Sequence, residues 1–384
     1  MKNLYLLGAT GSIGRQVLQI VDAHPDEFRI VTLSANENLE GMTALLTRYH
    51  PDYVAMGSSE AAEILRVRFP ELPVGEGDEG LVTAATFRPE DADGLLVNAL
   101  VGSCGLLPTY RAIEIGRDVA LANKETLVIG GDLIMPLAKK HGVRIYPVDS
   151  EHSAIWQCLG NADVSAVRRL VITASGGAFR DKTRAELADV TPEDALRHPN
   201  WSMGPKITVD SATMMNKGFE IIEAHHLFGI PADRIETVLH PESYIHSFVE
   251  FVDGSLLAQI SDHDMRLPIS YALFGGARRE TPVRTLDLVR IGAFTFAPLE
   301  PSRYPCLGMA REAMKKGGLL PCAMNAANEA AVRLFLEKRI SFLEIETIVR
   351  KAMDEAPVSS HPSLEDLLLC DRTVREAVFR QYLK

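Results

Sequence analysis

Leu4-Tyr5-Leu6-Leu7 is a short apolar run that passes straight into Gly8-Ala9-Thr10-Gly11-Ser12-Ile13-Gly14, and residues 14–24 then carry a helical pattern. A strand that turns on glycines into a helix opens a βαβ unit and commits the chain to a parallel sheet. The rhythm continues, because residues 29–33, 53–55, 94–97, 118–121 and 144–148 read as further strands with helical patterns between them, one of them around 114–116. In this context Gly8 allows the tight turn, Gly11 lets backbone N–H groups approach a pyrophosphate, and Gly14 permits close helix–strand packing. The helix N-terminus then faces the anion. The spacing is GxxGxxG and not GxGxxG, so a tight turn without ligand stands beside the dinucleotide reading. After the second strand come Asn36, Glu37 and Asn38, with no Arg or Lys nearby. Glu37 is placed to hold ribose hydroxyls, or is a solvated loop residue, and the residues leave NAD and NADP open.

Length and charge narrow the classes. The 384 residues suffice for two or three domains, and 40 basic against 51 acidic side chains leave no basic surface for nucleic acid. No apolar stretch approaches the ~18 residues of a membrane span, and the N-terminus lacks the apolar region and cleavage site of a signal peptide. Cys104, Cys158, Cys306, Cys322 and Cys370 are scattered without CxxC spacing, the pattern of reduced thiols. The expectation is a soluble cytoplasmic protein. Cys104 is expected to be a buried thiol and not a nucleophile, since no partner histidine is evident.

From about Ser150 to Phe296 the texture changes. Strand candidates at 170–173, 235–239, 247–251 and 256–260 include one pair joined by Val252-Asp253-Gly254-Ser255, a hairpin signal that predicts an antiparallel or mixed sheet. One long helix is expected over 211–228. Pro298, Pro301 and Pro305 punctuate a linker, and residues 326–336, 342–353 and 364–382 have helical spacing. The fold class is α/β: an N-terminal Rossmann-type parallel sheet (1–149), a central α+β catalytic domain (150–297), a linker (298–305) and a C-terminal helical domain (306–384).

Two polar constellations stand out. Asp149-Ser150-Glu151-His152 follows the apolar run ending at Val148, at the carboxyl edge where open α/β sheets bind ligands. Strand alternation would point Asp149 and Glu151 the same way. Asn216, Lys217 and Glu220 share roughly one helix face. Three convergent carboxylates suit Mg²⁺ or Mn²⁺, although such acids are commonly just solvated charge. Ala174-Ser175-Gly176-Gly177 leaves backbone N–H groups for an anion, with Ser211, Asn216 and Lys217 as further donors. The polar stretch 179–205, closing on His198-Pro199-Asn200-Trp201-Ser202-Met203-Gly204-Pro205, reads as a lid over substrate, or as Trp201 packing on its own domain. His225 and His226 read as helix-surface or core-edge residues, and Met214 and Met215 as core.

Together GATGSIG, LANKETLV, PVDSEHSAIWQ, TASGGAF, HPNWSMGPKITVDSATMMNKGFEIIEAHHLF and HPESYIHSFVEF closely resemble the 1-deoxy-D-xylulose 5-phosphate reductoisomerase family, from the first residues to the C-terminal helices. The resemblance implies NADPH- and divalent-metal-dependent conversion of 1-deoxyxylulose 5-phosphate to 2-C-methylerythritol 4-phosphate in non-mevalonate isoprenoid synthesis. It implies retro-aldol cleavage, re-aldol joining and hydride delivery, in a V-shaped three-domain homodimer using Mn²⁺, Mg²⁺ or Co²⁺. It assigns Asp149, Glu151 and Glu220 to the metal, and Lys124, with His152 beside the ligands, to catalysis. Substrate contacts would come from Lys124, Ser150, Glu151, Ser175, His198, Ser211, Asn216, Lys217 and Glu220, with Trp201 and Met203 on a flap at about 175–205. Cofactor contacts would come from Thr10, Gly11, Ser12, Ile13, Asn36, Asn38, Asn123, Glu125 and Gly204. Many relatives have Gly-Lys-Asn where this chain has Asn36-Glu37-Asn38. Another Rossmann oxidoreductase, such as a semialdehyde dehydrogenase, would need a catalytic thiol, and a nucleotide sensor would not need the acidic triad; the DSE and MNKGFE motifs speak against both.

Overall fold

The computed structural model describes residues 1–88, 90–91, 93–357 and 359–382. The last two residues of the expected helical domain therefore lie outside the described residues. The chain begins β1 (Lys2–Leu7), α1 (Ser12–Ala23), β2 (Phe28–Ala35), α2 (Leu39–Tyr49), β3 (Tyr53–Met56), α3 (Ser59–Arg68), β4 (Val74–Glu76) and α4 (Gly77–Thr86). It continues β5 (Leu95–Asn98), α5 (Leu106–Glu114), β6 (Asp118–Leu121), α6 (Glu125–His141), β7 (Ile145–Pro147) and α7 (Ser150–Leu159). The seven strands form one sheet in the order β4-β3-β2-β1-β5-β6-β7, and every pairing is parallel. Strand order reverses between β1 and β5. This is the switch point at which doubly wound sheets open a crevice at their carboxyl edge.

The second sheet collects β8 (Val167–Ala174), β9 (Ile235–Leu239), β10 (Ile245–Phe251), β11 (Leu256–Ile260) and β12 (Ala297–Pro298), in the order β11-β10-β8-β9-β12. It is mixed: β8 and β9 are parallel, while β10 pairs antiparallel with β8 and β11. The expected Asp-Gly hairpin joins β10 to β11, with Gly254 at φ 87°. The helices after α7 are α8 (Pro192–Ala195), α9 (Pro205–Thr213), α10 (Met215–Phe228), α11 (Arg266–Leu273), α12 (Leu288–Ile291), α13 (Pro305–Lys316), α14 (Leu320–Leu336), α15 (Phe342–Glu355) and α16 (Leu364–Tyr382).

Contacts divide the chain into two compact units. The first comprises Met1–Thr126, Asp132–Ser153 and Asp264–Val283; the second comprises Leu127–Gly131, Ala154–His263 and Arg284–Lys384. In the first, α11 returns from far along the sequence to pack on α1, where Phe274 stands edge-on to Phe28 at 4.9 Å and Leu273 accepts from Lys2 Nζ at 3.1 Å. In the second, α10 is buried nearly all round. Met215, Phe219 and Ile222 join a core with α13, α14 and α15, while Met214, Ile221 and Ala224 join another with β8, β9 and β10. Polar side chains on such a helix are costly unless paired.

Two expectations change here. The single helix over 211–228 is two helices, α9 and α10, broken at Met214, which adopts a left-handed φ of 62°. Left-handed backbone is rare for methionine, so no glycine or proline advertises the break. Asp149 and Glu151 do not alternate along a strand, because β7 ends at Pro147 and α7 begins at Ser150. The Ser153 N–H donates to the Asp149 carbonyl at 2.9 Å, so Asp149 sits at the mouth of the helix with Glu151 in its first turn.

Candidate active site

Three features line the carboxyl edge of the first sheet. The turn after β1 is drawn tight by the Gly11 N–H donating to the Gly8 carbonyl at 3.1 Å. Gly8 has φ 81°, and a Cβ there would collide with the Ala99 carbonyl after β5; a Cβ at Gly14 would collide with Gly8 and Ala9. Helix α1 starts without a side-chain cap and without an acid in its first turn, so its terminal N–H groups suit a phosphate. Thr10 and Ile13 are half-buried beside exposed Gly11 and Ser12. Asn36, Glu37 and Asn38 are exposed, and the Asn38 carboxamide caps α2 by accepting from the Gly41 N–H at 2.8 Å.

The second feature follows β6. Lys124 is buried, and its Nζ lies 2.5 Å from Asp149 Oδ2. His152 is fully buried with Nδ1 3.9 Å from the same oxygen. Ser150 Oγ donates to Glu151 Oε2 at 2.7 Å. The third feature is Asn123, whose carboxamide is saturated by its own turn and by the loop after β5. Its Nδ2 donates to the carbonyls of Leu100 and Gly102 and to Glu125 Oε2 at 2.9–3.1 Å, and its Oδ1 accepts from the N–H and Oγ1 of Thr126.

The second unit builds an anion cradle. Gly176 and Gly177 have φ of 87° and 69°, and a Cβ at Gly177 would collide with the Ser211 carbonyl. The cradle loop is thereby seated on α9. The Ser175 hydroxyl lies 3.0 Å from His198 Nε2 and accepts from the Gly177 N–H at 3.3 Å. His198 Nδ1 accepts from the N–H groups of Asn200 and Trp201 at 3.2 and 3.0 Å, which assigns the ring proton to Nε2. Burial, with Arg180 and His263 nearby, lowers the His198 pKa from 6.5 to about 4. Its neutral ring therefore donates to Ser175, and the Ser175 proton is directed elsewhere. Helix α10 opens uncapped, with Asn216 and Lys217 in its first turn. Asn216 Nδ2 donates to Glu220 Oε1 at 2.5 Å, and Lys217 Nζ pairs with Glu220 Oε2. Both members of that pair are buried.

Trp201 is half-buried, with its ring edge-on to His263 at 5.4 Å and tilted against His246 at 6.0 Å. Asn200 Nδ2 donates to the Pro241 carbonyl and to Ser243 Oγ at 2.6 and 2.9 Å, and Arg180 also reaches Pro241. These contacts seat 198–201 on the turn before β10, a role for Asn200 and Arg180 not read from the sequence. Met203 is half-buried, and Gly204 is exposed where it precedes α9. Cys104 is exposed, against expectation, because it lies on the surface of the short helical turn that closes the loop after β5.

The sequence signature of 1-deoxy-D-xylulose 5-phosphate reductoisomerase matches residues 4–131, and those of its C-terminal domains match 145–228 and 260–377. A protein of that name from Geobacillus kaustophilus (strain HTA426) is 52% identical over 380 residues, covering 98% of this chain and 99% of the relative. The chain belongs to the 1-deoxy-D-xylulose 5-phosphate reductoisomerase family. The reductoisomerase of Bacillus cereus (strain Q1) is 51% identical over 99% of this chain and 100% of its own. Among solved structures, a DOX-P reductoisomerase in complex with NADPH, fosmidomycin and magnesium superposes with a TM-score of 0.94 at 39% identity, covering 100% of this chain and 98% of that one. The reductoisomerase from Zymomonas mobilis in complex with NADPH gives a TM-score of 0.90 at 41% identity, covering 99% of each.

Proposed function

We propose that this reductoisomerase carries out the NADPH-dependent, divalent-metal-dependent rearrangement and reduction of 1-deoxy-D-xylulose 5-phosphate to 2-C-methyl-D-erythritol 4-phosphate in the non-mevalonate isoprenoid pathway. The observation that carries the reading lies in the first sheet: the glycine turn after β1, Lys124 after β6 and Asp149 after β7 stand at the carboxyl ends of parallel strands. A dinucleotide cradle and a carboxylate–lysine pair thereby share one edge.

The donor chemistry fits both groups. Carboxylates from Asp149, Glu151 and Glu220 make a hard-cation set, and the uncapped N-terminus of α1 beside Gly11, Ser12 and Ile13 fits a pyrophosphate. When bound, the cation polarises the ketone and a neighbouring hydroxyl oxygen and NADPH supplies the hydride. Lys124 orients Asp149 and places positive charge where an enolate oxygen develops. Ser175, Ser211, Asn216 and Lys217 hold the substrate phosphate, with His198 fixing the Ser175 hydroxyl. Trp201 and Met203, on the flap at 175–205, cover the sugar and exclude water. Thr10, Asn36, Asn38, Glu125 and Gly204 flank the dinucleotide, Ser150 reaches the substrate, and His152 backs Asp149.

We also assign the protein to the cytoplasm, as a homodimer. Among the described residues no helix is long and apolar enough to cross a membrane. Edge strand β11 exposes Leu256, Leu257 and Ile260, an apolar margin suited to a second copy.

The test follows NADPH oxidation with 1-deoxyxylulose 5-phosphate and Mg²⁺ or Mn²⁺. The expected result is turnover that a chelator abolishes and added metal restores. Glu151→Gln should lose turnover while still binding NADPH; unchanged turnover in that variant would sink the metal assignment.

A further inference from the structure

Asn98 closes β5 next to the switch point, is completely buried, and belongs to no binding set named above. A polar side chain at the end of the apolar run Leu95-Leu96-Val97 has to satisfy its carboxamide internally. It does so three times. Nδ2 donates to the Gly105 carbonyl at 3.1 Å and to Thr109 Oγ1 at 2.8 Å, and Oδ1 accepts from the Leu100 N–H at 3.1 Å. The Asn98 carbonyl accepts from the N–H groups of Ala122 and Asn123 at 3.0 and 3.1 Å. The loop 99–105 is thus tied at its start and end by Asn98, and through its middle by the Asn123 bonds to Leu100 and Gly102. Gly105 lies between the two amides, where a Cβ would collide with both.

This loop has a defined neighbour and a defined tip. Its first residue, Ala99, is the one Gly8 of the dinucleotide turn is packed against. At its tip Val101 is 68% exposed, an apolar side chain held out at the crevice by a loop without freedom to fold it away. We propose that Asn98 is a positioning residue for the cofactor: with Asn123 it clamps the loop 99–105 as the wall against which the nicotinamide half of NADPH rests, and it fixes the turn that delivers Lys124. In this assignment Asn123 acts through its side chain on the loop, not on the dinucleotide. The inference rests on the NADPH reading above.

The test measures binding, so that it does not depend on turnover. NADPH is titrated by its own fluorescence, and 2′,5′-ADP, which carries only the adenosine half, by displacement or calorimetry. Asn98→Ala should weaken NADPH about tenfold, and Thr109→Val, which removes one acceptor of Asn98, about threefold, the scale of one to two lost hydrogen bonds. Both should leave 2′,5′-ADP affinity within about twofold, whereas general loosening of the sheet would weaken both nucleotides together. If Asn98→Ala fails to fold, Thr109→Val decides alone. Unchanged NADPH affinity in the folded variants, or parallel loss of both nucleotides, overturns the proposal. A wild-type chain that binds NADPH yet leaves the sugar phosphate untouched would instead refute the catalytic reading, and the Asn98 assignment would be judged on these affinities.

Discussion

His198 donates through Nε2 to the Ser175 hydroxyl 3.0 Å away, while its Nδ1 accepts from two backbone N–H groups of its own loop. A protonated ring would forfeit both bonds to Nδ1, which fits the direction in which its pKa is moved, down to about 4. Because that value lies below the ordinary 6.5, the folded chain binds fewer protons than the unfolded chain between about pH 4 and 6.5. The local contribution to stability is therefore complete above pH 6.5 and is lost as the pH falls through that window. An NMR titration of the His198 ring should show a midpoint near 4; an ordinary midpoint would contradict the burial of a neutral ring. His198→Gln, which keeps an N–H donor, should hold the substrate KM within about threefold, whereas His198→Ala should raise it about tenfold.

Lys124 and Asp149 form an ion pair whose two side chains are only 6% and 14% exposed. Breaking such a pair strands a carboxylate, at a cost of about 3–5 kcal/mol where burial is complete. Lys124→Met is expected to lower kcat at least ~100-fold, since in the proposed mechanism this side chain both orients Asp149 and faces the developing enolate. Steady-state kinetics with saturating metal checks this, and a variant within tenfold of wild type would exclude Lys124 from the chemistry.

Glu37 projects into solvent just before the Asn38 cap of α2. A carboxylate there opposes a 2′-phosphate and tolerates a free ribose hydroxyl. Glu37→Lys should raise the ratio of kcat/KM for NADPH over NADH about tenfold, a change of ~1.4 kcal/mol. An unchanged ratio would mean that the side chain faces away from the ribose.

Arg117 is 1% exposed, with its guanidinium 3.5 Å above the Tyr5 ring and donating to the carbonyls of Ala85, Phe87 and Arg88. It stitches β6 to the carboxyl end of α4. Arg117→Leu leaves those carbonyls without their donor and is expected to cost ~3–5 kcal/mol. Thermal unfolding should show the loss, and Arg117→Lys should recover only part of it because an ammonium cannot span three acceptors in a plane.

Much of this architecture is legible in the residues. Strands β1, β2, β3 and β5 are apolar runs closed by Gly or Asn, and the Asp-Gly hairpin carries its own turn signal. What escapes has a physical cause. Val74–Glu76 is three residues long with Gly75 at its centre, too short for periodicity, so β4 exists only because β3 offers a partner. The break at Met214 is imposed by packing, since Met214 and Met215 face different cores. At Asp149 the apolar run ending at Val148 suggests continued strand alternation, but an Asp before Ser-Glu-His-Ser is equally a helix opening, which the structure selects. The candidate site residues stand out in the sequence because they cluster in motifs. Asn98 and Asn200 carry no such signal, because an asparagine that braces a loop looks in sequence like one that merely ends it, and Asn123 reads there only as a cofactor contact.

The first unit is discontinuous, and that has a consequence for synthesis. Its sheet is encoded by the first part of the chain, yet α11, which covers α1 and β7, lies in Asp264–Val283. At ~5–20 residues per second, residues 154–263 emerge over roughly 5–22 s while the face that α11 will occupy stays bare. Phe28 and the apolar side of α1 are open to wrong partners for that interval, so a ribosome stalled within residues 154–263 would present a nearly complete first unit lacking its last helix. Chaperone capture of this reductoisomerase is expected to concentrate on nascent chains of those lengths, and a gene rearranged so that residues 264–283 precede β1 should shorten the exposure.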